Sequence, residues 1–310
     1  MRDWAEANGI LILAHAYQEG DIQDAAHVVG DSLELARAAK ERNATSICFC
    51  GVHFMGETAK ILNPKARVFV PDLEAGCSLS DACQAPDLAK YQDFLRKKLG
   101  REIVTICYIN TSAAVKALCD IVCTSGNAVE VVNSVPHETP ILFVPDMHLG
   151  AWVQEQTGRD NIHLWNGACM VHELFSVKTL RDLKSQHPGA EVLAHPECPK
   201  NIRDESDWVR GTAGMLKIVT KTRGKTYIIA TEGNMIHRFK QVAPENTYVA
   251  APGASCACNL CPHMQRNTSE KLWRSLQTRS PEVTVDETIA AKARVALERM
   301  LAVKTAPVTD

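Results

Sequence analysis

Three cysteines, Cys77, Cys169 and Cys261, recur at one fixed interval of 92 residues, each downstream of a strand-like apolar run. A period of that length is the mark of repeated supersecondary units. Each unit also opens on its own matched pair. The apolar run 10–14 leads into His15, with Ser32 17 residues further on. The run 103–107 leads into Tyr108, with Ser125 at the same distance, and the run 191–194 leads into His195, with Thr212 again 17 residues on. One such coincidence arises easily by chance. Three in register with the cysteines specify three similar units, each delivering one thiol to a common point.

Within each unit, strand-length apolar runs alternate with helical segments, the pattern of a parallel sheet covered on both faces. Strands are expected at 10–14, 46–50 and 67–70 in the first unit, with helices at 32–42 and 55–62 between them. The second unit offers 103–107, 129–132, 141–144 and a short strand at 162–165. The third offers 192–194, 227–230 and 247–250. Polar amphipathic segments at 87–99, 174–186 and 268–276 read as connecting helices. The fold class is therefore α/β, as three repeated α/β/α units over 1–82, 83–172 and 173–265. A helical segment follows at 266–310, and its helix, 283–305, is expected to pack back on the first unit.

Charge and hydropathy narrow the partners. The 34 basic residues are balanced by 36 acidic ones, which argues against a nucleic-acid surface and for small-molecule partners. The longest apolar runs are strand-length rather than bilayer-length, and the polar start MRDWAEANG has no apolar core of a signal peptide. A soluble, cytoplasmic protein without a membrane partner is expected. Twelve cysteines spread along a chain of 310 residues then read as reduced thiols, some of them metal-binding, rather than as a disulfide scaffold.

Ligand-binding side chains of open parallel sheets lie beyond the carboxyl ends of the strands, where His15, Tyr108 and His195 fall. Ser32, Ser125 and Thr212 fall at expected helix starts, whose free N–H groups and partial positive charge suit anions. The run from Asp31 to Glu34 has capping-box character, whereas 124–127 is loop-like. Three convergent thiolates fit a metal centre. Structural zinc normally takes four protein ligands, while an iron–sulfur cluster on three cysteines leaves one iron open as a Lewis acid. Cys256, Cys258 and Cys261 form a tighter local set, of which only Cys261 is assigned to the centre. Cys48, Cys50, Cys107, Cys119 and Cys123 fall in apolar surroundings and read as packing; Cys83 and Cys198 fit either role.

The chain resembles the quinolinate synthases over essentially its whole length. The resemblance is carried by AHAYQ (14–18), GDSLELA (30–36), PDLEAGCSLSDAC (71–83), YIN (108–110), TSGNA (124–128), WNGACMVHE (165–173), HPECP (195–199), ATEGNMIHR (230–238) and CNLCPHM (258–264). It implies three α/β units about a pseudo-threefold axis, with an oxygen-sensitive 4Fe–4S cluster at the centre, held by Cys77, Cys169 and Cys261 and leaving one iron open. The implied reaction condenses iminoaspartate with dihydroxyacetone phosphate to quinolinate, phosphate and water, for NAD biosynthesis. An aspartate-oxidising enzyme is the implied functional partner. Carried over residue by residue, the organic ligand is expected among His15, Tyr17, Ser32, Tyr108, Asn110, Ser125, His195, Glu197 and Thr212. Glu197 is the expected general acid–base, with Tyr17, Tyr108 and His195 beside it in the chemistry. Two departures stand out. Residues 210–213 read Arg-Gly-Thr-Ala where the family pattern has Gly-Ser-Thr-Ser, and 265–268 read Gln-Arg-Asn-Thr after the last cysteine. The competing readings are a non-catalytic iron–sulfur or zinc sensor and a cluster-free sugar-phosphate enzyme. Neither needs three matched pairs in register with the cysteines.

Overall fold

The computed structural model describes residues 1–252 and 259–304; Cys256 and Cys258 lie outside them. Three four-stranded parallel sheets carry the fold. The first holds β1 (Ile10–His15), β2 (Val28–Gly30), β3 (Ser46–Cys50) and β4 (Arg67–Phe69). The second holds β5 (Val104–Tyr108), β6 (Ile121–Cys123), β7 (Ile141–Val144) and β8 (Ile162–Leu164). The third holds β9 (Glu191–Ala194), β10 (Trp208–Val209), β11 (Thr226–Ala230) and β12 (Thr247–Ala250). All three share one strand order, β2-β1-β3-β4, β6-β5-β7-β8 and β10-β9-β11-β12.

The reason lies in the apolar runs. Every residue of β1 and β3 is buried, as a strand covered on both faces requires. In the third sheet, Leu193, Tyr227 and Ile229 pack into one apolar layer, and Val192, Ala194, Ile228 and Ala230 into the layer behind it. That alternation is the two-residue period of a strand with helices on either side.

The shared order fixes where ligands can bind. From its first strand each unit steps outward to a short edge strand and then returns across the first strand to the other side. This reversal opens a crevice between the carboxyl ends of the first strand and the strand on its other side, β1/β3, β5/β7 and β9/β11. The register accounts for the 17-residue interval: His15 pairs with Gly30, and Tyr108 with Cys123, so the hydroxyl residues Ser32 and Ser125 lie two positions past the paired edge residue. Ala194 pairs with Val209, which brings Thr212 round in the same way.

Three expectations need correction. The edge strands β2, β6 and β10 are two or three residues long, too short to show a period, and the sequence reading contains none of them. The run 129–132, expected as a strand, lies in the helix Ala128–Asn133. Ala128, Val131 and Val132 are its buried residues, spaced as one helical face, and the place beside β5 is taken by β6. Ser125 does not begin a helix, because Asn127 is the N-cap of that segment. Ser32 and Thr212 do open the helices Ser32–Glu41 and Thr212–Thr220.

The helix Glu287–Ala302 starts at Asp286, whose carboxylate accepts the N–H groups of Thr288 and Ile289. It buries Ala293, Ala296, Leu297 and Met300. Arg294 donates to the carbonyl of Ile61 at 2.9 Å, on the first unit, and Arg299 to that of Asp120 at 2.9 Å, on the second. The helix thus straddles both units rather than resting on the first alone. Among the described residues no helix is long and apolar enough to cross a membrane.

Candidate active site

The three crevices open on one cavity holding about 660 Å³ of atom-free space, its mouth included. All twelve residues singled out in the sequence line it: His15, Tyr17 and Ser32 from the first unit, Tyr108, Asn110 and Ser125 from the second, His195, Glu197 and Thr212 from the third, and Cys77, Cys169 and Cys261. The units touch closely here. A Cβ on Gly211 would come within 2.7 Å of Ser125 Oγ and 3.2 Å of the Ser125 backbone, so the loops of the second and third units are in close contact at this glycine.

His15 and His195 are built alike. Nδ1 of His15 accepts the N–H of Tyr17 at 3.2 Å, and Nδ1 of His195 accepts that of Glu197 at 3.3 Å. The backbone thereby places the remaining proton of each neutral ring on Nε2. Nε2 of His195 lies 3.1 Å from Ser125 Oγ, to which it donates. Burial lowers His15 to about 4 and His195 to about 3, against the pull of Glu197. Both rings are therefore neutral donors at physiological pH.

Glu197 is buried and joins two tyrosines. Tyr108 Oη donates to its Oε1, and His172 Nδ1 lies 3.1 Å from its Oε2, close enough for an ion pair but out of line for a hydrogen bond. His172 Nε2 is 3.1 Å from Thr231 Oγ1, which is 2.8 Å from Tyr17 Oη, and Thr212 Oγ1 donates to Tyr17 Oη at 3.3 Å. A buried row of polar contacts thus runs from Tyr108 through Glu197, His172 and Thr231 to Tyr17, hydrogen-bonded throughout except between Glu197 and His172. Burial opposes charge on Glu197, but His195, His172 and the Tyr108 hydroxyl outweigh it and hold the carboxyl below its ordinary value. Burial and the Glu197 carboxylate raise both tyrosines, which stay protonated. The arrangement pairs one ionised acceptor with two hydroxyl donors.

His172 and Thr231 were missed in the sequence, although His172 sits inside WNGACMVHE and Thr231 follows the carboxyl end of β11. His172 also stacks on His195, ring centroids 4.9 Å apart. Asp31 and Glu232 line the cavity too. Asp31 caps its helix through the N–H groups of Leu33 and Glu34, and burial raises its carboxyl to about 6. Glu232, raised by burial to about 8, accepts the N–H of Cys261 at 3.1 Å and so fixes that cysteine's loop.

The depressed histidines make a prediction. An unfolded chain takes up protons near pH 6.5, whereas folded His15 waits until about 4. Between those values the unfolded state binds more protons, so this contribution to stability is present above pH 6.5 and is lost as the pH falls. Between about pH 7 and about pH 5, the melting temperature of the wild type should fall further than that of His15→Gln. Parallel curves for the two proteins would remove the histidine from the acid sensitivity.

Of the ten described free cysteines, Cys77, Cys169 and Cys261 line the cavity and are partly accessible; Cys48, Cys50, Cys83, Cys107, Cys123 and Cys198 are buried. Burial raises all three cavity thiols, Cys77 to about 12, so each keeps its proton until a cation displaces it. Donor atoms of Cys169, His172 and Glu197 also lie within 4.8 Å of one another. Thr231 engages His172 at Nε2 and Tyr108 engages Glu197 at Oε1, while His172 Nδ1 makes no hydrogen bond and stays open beside the Cys169 thiol.

Three parallel α/β units that gather one thiol apiece beside a buried row of acid–base groups define an enzyme of the metal-cluster class. Residues 1–302 match the family described as quinolinate synthetase A protein. Similar proteins include the quinolinate synthases of Cyanophora paradoxa, 49% identical over 94% of this chain and 87% of that protein, and of Microcystis aeruginosa, 47% identical over 94% and 90%. That of Nostoc sp. is 48% identical over 94% and 88%. The chain belongs to the quinolinate synthase family, which implies an iron–sulfur cluster, and the three partly accessible cavity thiols fit such a group.

Proposed function

We propose that the chain condenses iminoaspartate with dihydroxyacetone phosphate to quinolinate, releasing phosphate and water, with a 4Fe–4S cluster on Cys77, Cys169 and Cys261. The observation that carries the reading is the lining of one cavity by one thiol from each 92-residue interval together with the Tyr108–Glu197–His172–Thr231–Tyr17 row. A three-cysteine cluster supplies, when bound, an open iron that polarises a substrate oxygen or nitrogen.

The residues around it do the positioning and the proton work. Ser32, Ser125 and Thr212 hold carboxylate and phosphate oxygens, with the N-termini of Ser32–Glu41 and Thr212–Thr220 behind two of them. His15 and His195 donate from Nε2 without adding charge. Asn110 donates its amide beside them. Glu197 takes a proton from substrate carbon or nitrogen, and Tyr108 returns one to a departing oxygen. Thr231 joins His172, beside the Glu197 carboxylate, to the hydroxyl of Tyr17. Enclosure protects iminoaspartate from hydrolysis. The cytoplasm is the setting we assign, since the thiols must stay reduced, with an aspartate-oxidising enzyme supplying the imine.

The test is anaerobic single-turnover formation of quinolinate from iminoaspartate and dihydroxyacetone phosphate by the cluster-loaded protein. A loaded protein that forms none sinks the reading. Ser32→Ala and Thr212→Ala should each weaken substrate binding by about 1.5–3 kcal/mol, the worth of a hydrogen bond to a charged group, and leave iron content unchanged. Unaltered substrate affinity in both variants would return these hydroxyls to a purely structural role.

A further inference from the structure

A second cavity lies outside the first, holding about 1190 Å³ of atom-free space, open solvent included, and sharing Asp31 and Ser125 with it as common wall. Every unit contributes to its lining: Arg37 from Ser32–Glu41, Trp152 from Met147–Thr157, and Arg210 and Lys217 from the third. Among the described residues, Arg37 and Lys217 use their side chains in no hydrogen bond or ion pair, and Arg210 spends one N–H on the carbonyl of Val209 at 2.9 Å. The acids of the lining differ in this respect. Asp31 accepts the N–H groups of Leu33 and Glu34, and Glu34 in turn accepts that of Asp31 at 3.0 Å, so both serve their own helix; Glu130 also has a partner. Of the charged side chains, the cations are the ones with donors left for a ligand. Two planar guanidinium forks and an ammonium on one concave surface are the chemistry that recognises a phosphate monoester.

We propose that this outer cavity is an antechamber that captures the phosphate-bearing substrate on Arg37, Arg210 and Lys217 before it passes the Ser125 wall. The proposal rests on the reaction assigned above. It adds to that reaction a binding site outside the reacting centre, with a charge-dependent capture step. Cations with free donors raise the rate at which an anion is captured at low salt, here within a lining that also holds the carboxylates of Asp31, Glu34 and Glu130.

The experiment compares the anaerobic, cluster-loaded wild type with the triple variant Arg37→Ala, Arg210→Ala, Lys217→Ala. A control triple, Lys65→Ala, Lys178→Ala, Lys292→Ala, removes as much charge from exposed sites elsewhere. The antechamber variant should lose about tenfold or more in kcat/KM for dihydroxyacetone phosphate at low ionic strength, and the dependence on salt should flatten. The control should follow the wild type. Arg210→Gly alone tests the same point should the triple variant fail to fold, with a smaller loss in the same direction. Broadening of the phosphorus resonance of inorganic phosphate by the wild type, relieved in the antechamber variant, gives a readout independent of turnover. Wild-type kcat/KM and salt slope in the antechamber variants overturn the proposal while leaving the reaction intact. Absence of quinolinate from the wild type itself overturns the reaction, and the phosphate resonance then still decides whether the site binds anions.

Discussion

Alanine at Cys77, Cys169 or Cys261 is expected to strip the protein of its cluster and of measurable quinolinate formation. Three ligands are the minimum on which the assigned centre rests, and none of the seven other described cysteines lines the cavity: six are buried in the apolar cores and strands, and Cys119 donates to the carbonyl of Val115. Iron, acid-labile sulfide and the visible absorption of the anaerobically reconstituted variant measure the effect. A variant that keeps a full complement of all three removes that cysteine from the ligand set. Cys48→Ala is the matching control, because Cys48 is buried within β3 and its thiol is raised by burial beside Cys50.

Glu197→Gln separates chemistry from assembly. Glutamine keeps the length of the side chain and can still meet Tyr108, but it cannot exchange a proton. Turnover should fall by about 10²-fold to 10⁴-fold, the usual worth of a positioned acid–base group, while cluster content and melting temperature stay close to those of the wild type. The buried carboxylate takes the Tyr108 hydroxyl hydrogen bond, and glutamine, which can keep that partner, also spares the protein the cost of an enclosed charge. Single-turnover quinolinate formation at the wild-type rate would take Glu197 out of the mechanism.

How much of this was legible in the chain follows from what is local and what is repeated. The intervals of 17 and 92 residues found every first strand and every cysteine that lines the cavity, because a backbone step that recurs three times leaves three copies of its mark. Residues without a repeated counterpart were invisible. His172 reaches Thr231 across 59 positions, and Thr231 reaches Tyr17 across 214. Contacts of that span leave no periodic trace. The strand misread at 129–132 failed for the opposite reason: its valines have strand propensity, but the register beside β5 had already been filled by β6.

The common strand order makes the three units interchangeable as backbone and different as chemistry. Counted from the end of each first strand, the same three addresses are filled by His15, Tyr17 and Ser32, by Tyr108, Asn110 and Ser125, and by His195, Glu197 and Thr212. At the first and third copies the amide of the second address even makes the same bond, to Nδ1 of the histidine. A threefold scaffold therefore behaves as a socket with nine numbered contacts, in which position is set once by the topology and identity is chosen separately at each contact. Only one of the nine holds a carboxylate. In the proposed reaction, the direction of proton flow, which a symmetric cavity could not define, follows from that single choice at Glu197.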